Sequence, residues 1–258
     1  MNLALLFDDD FIAPDRARLT HRRLDHLHSV LRVTEGDLIP VARVNGKLGE
    51  GRIVSLSSHS AEIVVDLDQQ PPPPLPLTLV LAMPRPKMFR RVLQTCASLG
   101  VKDLWLIHSR KVEKSYWQTP WLSDEHLTEN LTLGLEQARD SRMPRVQIRK
   151  RFKPFVEDEL PELLEGKQGL VAHPGTATPC PVHLQEPALL CIGPEGGFIP
   201  YEVEKLAEAG CVQVHLGPRV LRVETAVPAI ISRLFDAGGL LVLVITPLFG
   251  LFRRGDTA

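Results

Sequence analysis

The sequence predicts an α/β domain with a parallel sheet, preceded by a smaller, mostly β domain. After residue 76, continuous apolar runs of strand length alternate with segments of helical periodicity. Continuous runs are typical of strands buried on both faces, and their alternation with helices favours a parallel sheet covered by helices. Before residue 71, short segments rich in β-branched residues are separated by turn residues, which indicates a small barrel-like domain.

A proline run separates the two parts. Residues 71–74 are four consecutive prolines, and Pro76 follows them. Because proline has no amide donor and prefers an extended form, such a run is a semi-rigid spacer. We therefore expect a first domain over residues 1–70, a linker over 71–76 and a second domain over 77–258.

The first part contains three predicted strands and one helix. The strands cover residues 37–44, 51–56 and 61–67. Asn45-Gly46, between the first two strands, predicts a tight hairpin. Ahead of them, Leu24, Leu27 and Leu31 recur at helical spacing and predict a helix over residues 22–31.

The second part alternates strands with helices. The predicted strands cover residues 77–83, 101–108, 169–172, 189–192 and 212–216. The predicted helices cover residues 87–99, 121–139, 201–209 and 224–234. Gly100 is placed to end the first of these helices. Ligands of parallel sheets bind at the carboxyl ends of strands, so the loops that follow the strands are the candidate sites.

The cysteines favour a reduced, cytoplasmic protein. The chain has four, without paired spacing: Cys96, Cys180, Cys191 and Cys211. Cys180 and His183 form one C-x-x-H pair without a second pair, so no metal site is expected. No charged-then-apolar leader is present, which also favours the cytoplasm.

One apolar run covers residues 240–252. It is shorter than the roughly 20 residues that a helix needs to span a bilayer. We therefore expect no membrane contact there, but a buried segment or a subunit interface.

Charge is segregated along the chain, although the net charge is only −1. Residues 84–153 hold 15 Lys or Arg residues against 7 Asp or Glu residues. Such an excess attracts a phosphate backbone, although a solvated helical surface has the same composition. The basic residues assigned to RNA contact, with a solvated helix face as the alternative, are Arg22, Arg23, Arg32, Lys87 and Arg139.

The strongest local signal is CIGPEGGFIPYEVEKL, over residues 191–206. An apolar strand runs into a glycine-rich turn and then into a helix. Glycines let the backbone approach a ligand closely, and the amides at the helix start favour an anionic group. The loop lacks both the Lys-Ser/Thr of a P-loop and the GxGxxG spacing of dinucleotide sites. A tight structural turn is the alternative.

A second signal is HLGPRVLRVETAVPAI, over residues 215–230. Arg222 can pair bidentately with a carboxylate or phosphate, whereas Glu224 suits a helix start electrostatically. Two glycine-bearing loops at strand ends of one sheet predict two walls of one pocket. The chain has no G-x-S-x-G elbow, which argues against an α/β-hydrolase.

These motifs together resemble a known family. GPEGGF, the E-V-x-x-L-A-x-x-G that follows it, and LGPRVLRVETA are similar to the RsmE-type 16S rRNA uridine-N3 methyltransferases of the SPOUT superfamily. HLHSVLRVTEGD, over residues 26–37, is similar to that family's PUA-like RNA-binding domain. Ser98 and Val223 stand where the family usually has Glu and Thr.

The resemblance implies a PUA-like barrel, a second domain with a deep trefoil knot, and a homodimer with S-adenosylmethionine bound in the knot. One implied wall of the cofactor site is Gly193, Glu195, Gly196 and Gly197. A second implied wall is Leu216, Gly217, Leu221 and Arg222, with Thr225 beside it. The third implied wall is the end of a strand, with Leu170, His173 and Pro174.

The implied reaction is methyl transfer to N3 of a uridine in 16S rRNA, free or in the small ribosomal subunit. The sulfonium methyl group is already activated, so no metal is expected. Because N3 lies on the Watson–Crick edge, the target base should be unpaired or flipped out. Arg222 is expected to stabilise the negative charge on the uracil, and Glu224 to position it.

Three other functions stay open. A SPOUT ribose 2′-O-methyltransferase would share the cofactor loops and attack a different atom. A non-catalytic RNA-binding relative would keep only the fold. A nucleotide-binding α/β enzyme would use the glycine loop for phosphate.

Overall fold

The computed structural model describes residues 2–235, which form two six-stranded sheets. The apolar run over residues 240–252 lies outside the described residues. All four cysteines are buried and free, as expected.

The first sheet lies before the proline run and is mixed. Its strands are β1 (Ala4–Leu6), β2 (Phe11–Ala13), β3 (Arg16–Leu19), β4 (Leu38–Arg43), β5 (Leu48–Leu56) and β6 (Ala61–Gln69). They pair in the order β1-β4-β5-β6-β3-β2, and only β1 and β4 run parallel.

Two local predictions in this part are confirmed. Asn45 has a φ of 56° and turns the chain between β4 and β5, where Ala42 pairs with Leu48. The predicted helix is present as α1 (His21–His26), extended by a π-helical turn over Leu27–Leu31. Leu24 and Leu27 are its buried residues, which fits their helical spacing.

The second sheet is entirely parallel, as predicted. Its strands are β7 (Leu77–Ala82), β8 (Asp103–Ile107), β9 (Arg145–Arg149), β10 (Gln168–Ala172), β11 (Ala188–Ile192) and β12 (Val212–Val214). They pair in the order β12-β10-β11-β7-β8-β9. Every residue of β7 and β11 is buried, which is why both segments are apolar throughout.

Helices connect the strands of this sheet. They are α2 (Pro86–Ser98), α3 (Asp124–Ala138), α4 (Phe152–Pro154), α5 (Leu160–Leu164), α6 (Pro200–Glu208) and α7 (Val223–Leu234). Gly100, at a φ of 82°, follows α2 as predicted. The predicted helix over residues 121–139 begins later, because the Ser123 side chain accepts the His126 amide and caps α3 there.

A buried carboxylate joins the two parts of the chain. Glu136, on α3, is 1% exposed, accepts a hydrogen bond from the Leu5 amide at 3.3 Å and pairs with Arg22 at 2.8 Å. Burial raises the pKa of this carboxyl, and the charge of Arg22 opposes that rise. Leu3 and Leu5 belong to the core of the second part, so the two parts pack against each other.

We predict that Glu136→Ala lowers the free energy of unfolding by about 1–3 kcal/mol, because it leaves the buried Leu5 amide without its acceptor. Urea denaturation measures this. Glu129→Ala, at an exposed position of the same helix, is the control and should change the unfolding free energy by less than about 0.5 kcal/mol. Equal losses in the two variants would contradict the role given to Glu136.

Candidate functional site

Three loops at one edge of the parallel sheet enclose a cavity of about 210 Å³. They follow β10, β11 and β12, which are neighbours in the order β12-β10-β11 and run in the same direction. The predicted residues that line the cavity are His173, Pro174, Gly193, Glu195, Gly196, Gly197, Leu216, Gly217 and Leu221. Further lining residues, which were not assigned to the site one by one although several lie in the predicted motifs, include Ala172, Cys180, Ile192, Val214, Arg219, Val223 and Ile230.

The glycine loop after β11 is held by its own backbone. The Gly197 amide donates to Pro194 O at 2.7 Å, and Gly197 has a φ of 69°, which glycine adopts without strain. A Cβ on Gly193 would lie 2.9 Å from the Phe198 amide nitrogen, so a side chain there would displace the backbone. The three glycines of the loop therefore bring peptide groups to the cavity.

Glu202 fastens this loop to the end of β8. It is 3% exposed, and its carboxylate accepts the Ile199 amide at 3.0 Å and the Arg110 amide at 2.6 Å. Pro200, the first residue of α6, has no amide hydrogen. The expectation of an anion at this helix start is therefore wrong, because a carboxylate of the chain already occupies it.

Two further contacts anchor the glycine loop to the neighbouring strands. Glu195 Oε1 accepts the Arg85 amide after β7 at 3.0 Å, and Lys111 Nζ donates to Gly196 O at 2.6 Å. A Cβ on Gly196 would lie 2.8 Å from Lys111 Cδ, a flexible atom that can move aside. Strands β7 and β8 thus set the position of one cavity wall.

The loop after β12 forms the opposite wall and stays partly open. The Gly217 amide donates to His215 Nδ1 at 2.9 Å, and Gly217 has a φ of 121°. Val220 is 82% exposed although it lines the cavity. In the single chain this side of the cavity faces solvent.

Four of the residues assigned to the site do not line the cavity. Leu170 is 1% exposed inside β10, behind the wall. Arg222 precedes α7 and is exposed, and its carbonyl accepts the amides of Thr225 and Ala226. Glu224 is half-buried in the first turn of α7, and Thr225 is exposed there. The helix start therefore stands at the open rim.

The chemistry of the cavity suits a flat, largely apolar ligand with polar edges. Ile192, Val214 and Ile230 supply apolar wall, and the glycine loop supplies peptide groups. His173 Nδ1 is buried and has no hydrogen-bond partner among residues 2–235. Small-molecule pockets usually exceed about 300 Å³, so a ligand of nucleoside size would extend past this cavity towards the open rim.

The basic residues assigned to RNA contact do not line the cavity. Arg32, Lys87 and Arg139 are exposed, and Arg22 is 44% exposed beside Glu136. The prediction that Arg23 contacts RNA is wrong. Its side chain is 15% exposed, and its guanidinium donates to Asp10 and to Leu5 O, so it stabilises the first domain.

Two classes of site are not found in the described range. Within residues 2–235, no three His, Cys, Asp or Glu side chains are grouped so that they could hold a metal ion. Over the same residues, no helix is both long and apolar enough to cross a membrane.

Comparison with known proteins gives one family. A family model described as an RNA methyltransferase domain matches residues 71–235. The chain is 27% identical over 238 residues to ribosomal RNA small subunit methyltransferase E of Treponema pallidum, which covers 88% of this chain and 87% of that protein. The Bacillus subtilis protein of the same name is 26% identical over 218 residues, with 81% of this chain and 85% of that protein covered.

A solved structure shares the fold. Ribosomal RNA small subunit methyltransferase E of Neisseria gonorrhoeae, bound to S-adenosyl methionine, superposes with a TM-score of 0.69 over 90% of this chain and 95% of that chain, at 23% identity.

We predict that Glu202→Gln loosens the glycine loop. The glutamine side chain has one oxygen, so it can accept only one of the two backbone N–H groups that Glu202 binds, and its NH₂ group would face the other N–H. Hydrogen–deuterium exchange should rise in residues 108–112 and 193–199, and the melting temperature should fall. Glu204→Gln, exposed on the same helix, is the control. Unchanged exchange in both segments would show that Glu202 does not fasten the loop.

Proposed function

The chain belongs to the RNA methyltransferase domain family, and we propose that it transfers a methyl group from S-adenosylmethionine to N3 of a uridine in 16S rRNA of the small ribosomal subunit. The observation that carries the proposal is the cavity at the strand ends, because the matched residues 71–235 contain all three of its loops. The substrate is suggested by relatives that align over 81–88% of the chain and are named for the methylation of small-subunit rRNA.

The residues present fit this cofactor. The apolar wall of Ile192, Val214 and Ile230 suits an adenine ring, and the peptide groups of the glycine loop suit its polar edges. His173 Nδ1 offers a buried polar atom for a further hydrogen bond. Glu202, at the start of α6, disfavours a phosphate in the same place, which favours a sulfonium cofactor over a nucleotide.

The reaction requires charge stabilisation at the rim of the cavity. When bound, S-adenosylmethionine supplies a methyl group that its sulfonium charge already activates. Arg222, at the end of the third loop, stabilises the negative charge that develops on uracil as the N3 proton leaves. Glu224, in the first turn of α7, positions the base. The target uridine enters unpaired, so that its Watson–Crick edge is accessible.

A second copy of the chain completes the site in this proposal. Val220 is 82% and Leu221 is 38% exposed at the open rim, and exposed apolar residues beside a ligand cavity suit an interface. In the proposed homodimer, the partner covers this rim and limits the access of water to the cofactor.

The proposal also includes the division into domains, the knot and the residues that contact RNA. Residues 1–70 form a PUA-like RNA-binding barrel, 71–76 the linker and 77–258 the methyltransferase domain of a cytoplasmic protein. The insertion of β11 between β7 and β10 supports a trefoil knot in the second domain. The exposed Arg22, Arg32, Lys87 and Arg139 contact RNA phosphates.

We predict that Gly193→Ala weakens S-adenosylhomocysteine binding at least about tenfold, because the new Cβ displaces the Phe198 backbone. Isothermal titration calorimetry measures this. Gly166→Ala is the control: its φ of 68° makes the substitution strained, but it does not line the cavity and nothing lies within 4 Å of its Cβ. Binding that is unchanged in Gly193→Ala, or equally weakened in both variants, would contradict the assignment of the loop.

We predict that Arg222→Ala lowers the rate of methyl transfer to small-subunit RNA by about 10²–10³-fold while cofactor affinity stays close to that of the native protein. Single-turnover transfer of a labelled methyl group gives the rate. Arg222→Lys keeps the charge but loses the planar fork, so it should recover only part of the activity. Full turnover by Arg222→Ala would remove Arg222 from the reaction.

A further inference from the structure

A short 3₁₀ helix, Lys114–Gln118, comes three residues after Lys111, which contacts the glycine loop. The segment that leads into it follows β8 and is bonded to that loop and to the helix after it. Lys111 Nζ donates to Gly196 O at 2.6 Å, and the Arg110 amide donates to Glu202. Because Gly196 lines the cavity, the segment that leads into the 3₁₀ helix contacts the cavity wall.

Trp117, on this helix, is partly exposed and has a fixed ring. Its indole Nε1–H donates to His108 Nδ1 at 2.9 Å, and Lys150 Nζ lies 5.8 Å from its ring centroid. Burial lowers the pKa of His108, with Glu202 opposing the change, which favours the neutral ring that can accept this bond. A ring held in place loses little conformational entropy when a base stacks on it.

The other two tryptophans of the chain are engaged elsewhere. Trp105 is 6% exposed in the core, with Arg149 over its ring at 4.7 Å. Trp121 has Arg90 over its ring at 4.3 Å and His126 at its edge. Trp117 differs from both in that no guanidinium lies over its ring in the described part of the chain, and in that it follows the segment that contacts the glycine loop.

The surface around Trp117 is basic. Residues 108–118 contain three Lys or Arg residues and one acid, Glu113, and residues 149–153 contain four Lys or Arg residues and no acid. Lys114 and Lys150 are exposed. An aromatic ring among exposed cations is the combination with which proteins bind single-stranded nucleic acid, the ring stacking on a base and the cations meeting phosphates.

We propose that a nucleotide next to the target base, in unpaired RNA, stacks on Trp117, and that Lys114 and Lys150 contact the adjoining phosphates. The inference rests on the proposed function and gives it a path by which the RNA strand reaches the cavity. His108 is the positioning residue of this surface, because it sets the orientation of the indole.

The test is binding of an oligouridylate of about 12 nucleotides, followed by tryptophan fluorescence and by titration at several salt concentrations. RNA should quench part of the native fluorescence, and Trp117→Leu should weaken binding about tenfold. Trp121→Leu is the matched control and should bind like the native protein. Lys150→Gln should reduce the salt dependence of log K by about 0.7, the loss of one phosphate contact.

A second variant at the same position distinguishes loss of stacking from misfolding of Trp117→Leu. Trp117→Phe keeps an aromatic ring, so it should bind RNA within about threefold of the native protein while the quenching disappears. Quenching that persists in Trp117→Phe, or equal affinity of Trp117→Leu and Trp121→Leu, would overturn the inference.

Calorimetry with S-adenosylhomocysteine separates this inference from the proposed function. If the protein binds the cofactor but its affinity for RNA does not depend on Trp117, the proposed stacking surface is contradicted and the proposed function is not. Trp117-dependent RNA affinity without cofactor binding would leave an RNA-binding surface and would contradict the methyltransferase.

Discussion

All six strands of the second sheet run in the same direction, and the rest of the site depends on this constraint. A parallel strand must be followed by a crossover, so every strand ends at the same edge and delivers its loop there. Because β12, β10 and β11 are neighbours, three loops that are far apart in the sequence meet around one cavity. The buried, apolar strands β7 and β11 pair with each other in this sheet, and the segment after β7 supplies the Arg85 amide that donates to Glu195.

The start of α6, after the glycine loop, differs from a typical phosphate-binding helix start. A glycine-rich turn before a helix usually offers amides and a positive dipole end to a phosphate. At the start of α6, the Glu202 carboxylate already accepts the Ile199 amide, and Pro200 has no amide hydrogen to donate. Both features disfavour a phosphate at this position. The cavity that remains has apolar walls and peptide edges, and Glu202 at the same time fastens the loop to β8.

The sequence predicted what depends on local patterns. Continuous apolar runs predicted β7 and β11, Gly100 the end of α2, and Asn45 the hairpin, because each is a property of a few adjacent residues. Strands β1, β2 and β3 were missed because each has only three or four residues, and β9 because its RVQIR sequence resembles a charged surface. Leu170 was assigned to a wall by the family resemblance, but it lies inside β10, two residues before the strand ends, and is buried behind the wall.

The contacts that build the site were beyond sequence reasoning for a different reason. The hydrogen bonds of Arg85 to Glu195, Arg110 to Glu202 and Lys111 to Gly196 join residues 110, 92 and 85 positions apart. Their residue types are ordinary for a solvated surface, and only the strand order brings them together. The glycines of the two loops, in contrast, could be assigned from the sequence, because a close backbone approach leaves a residue type that is visible in the chain.

The most direct test of the account is the identity of the nucleoside that the native protein produces. Small ribosomal subunits that lack the modification would be incubated with the protein and labelled S-adenosylmethionine, and their RNA digested to nucleosides and separated. The account predicts that the label appears in 3-methyluridine. Label in a 2′-O-methylated nucleoside would contradict the assigned target atom. If the protein binds the cofactor but the RNA carries no label, the proposed methyltransferase activity would be contradicted.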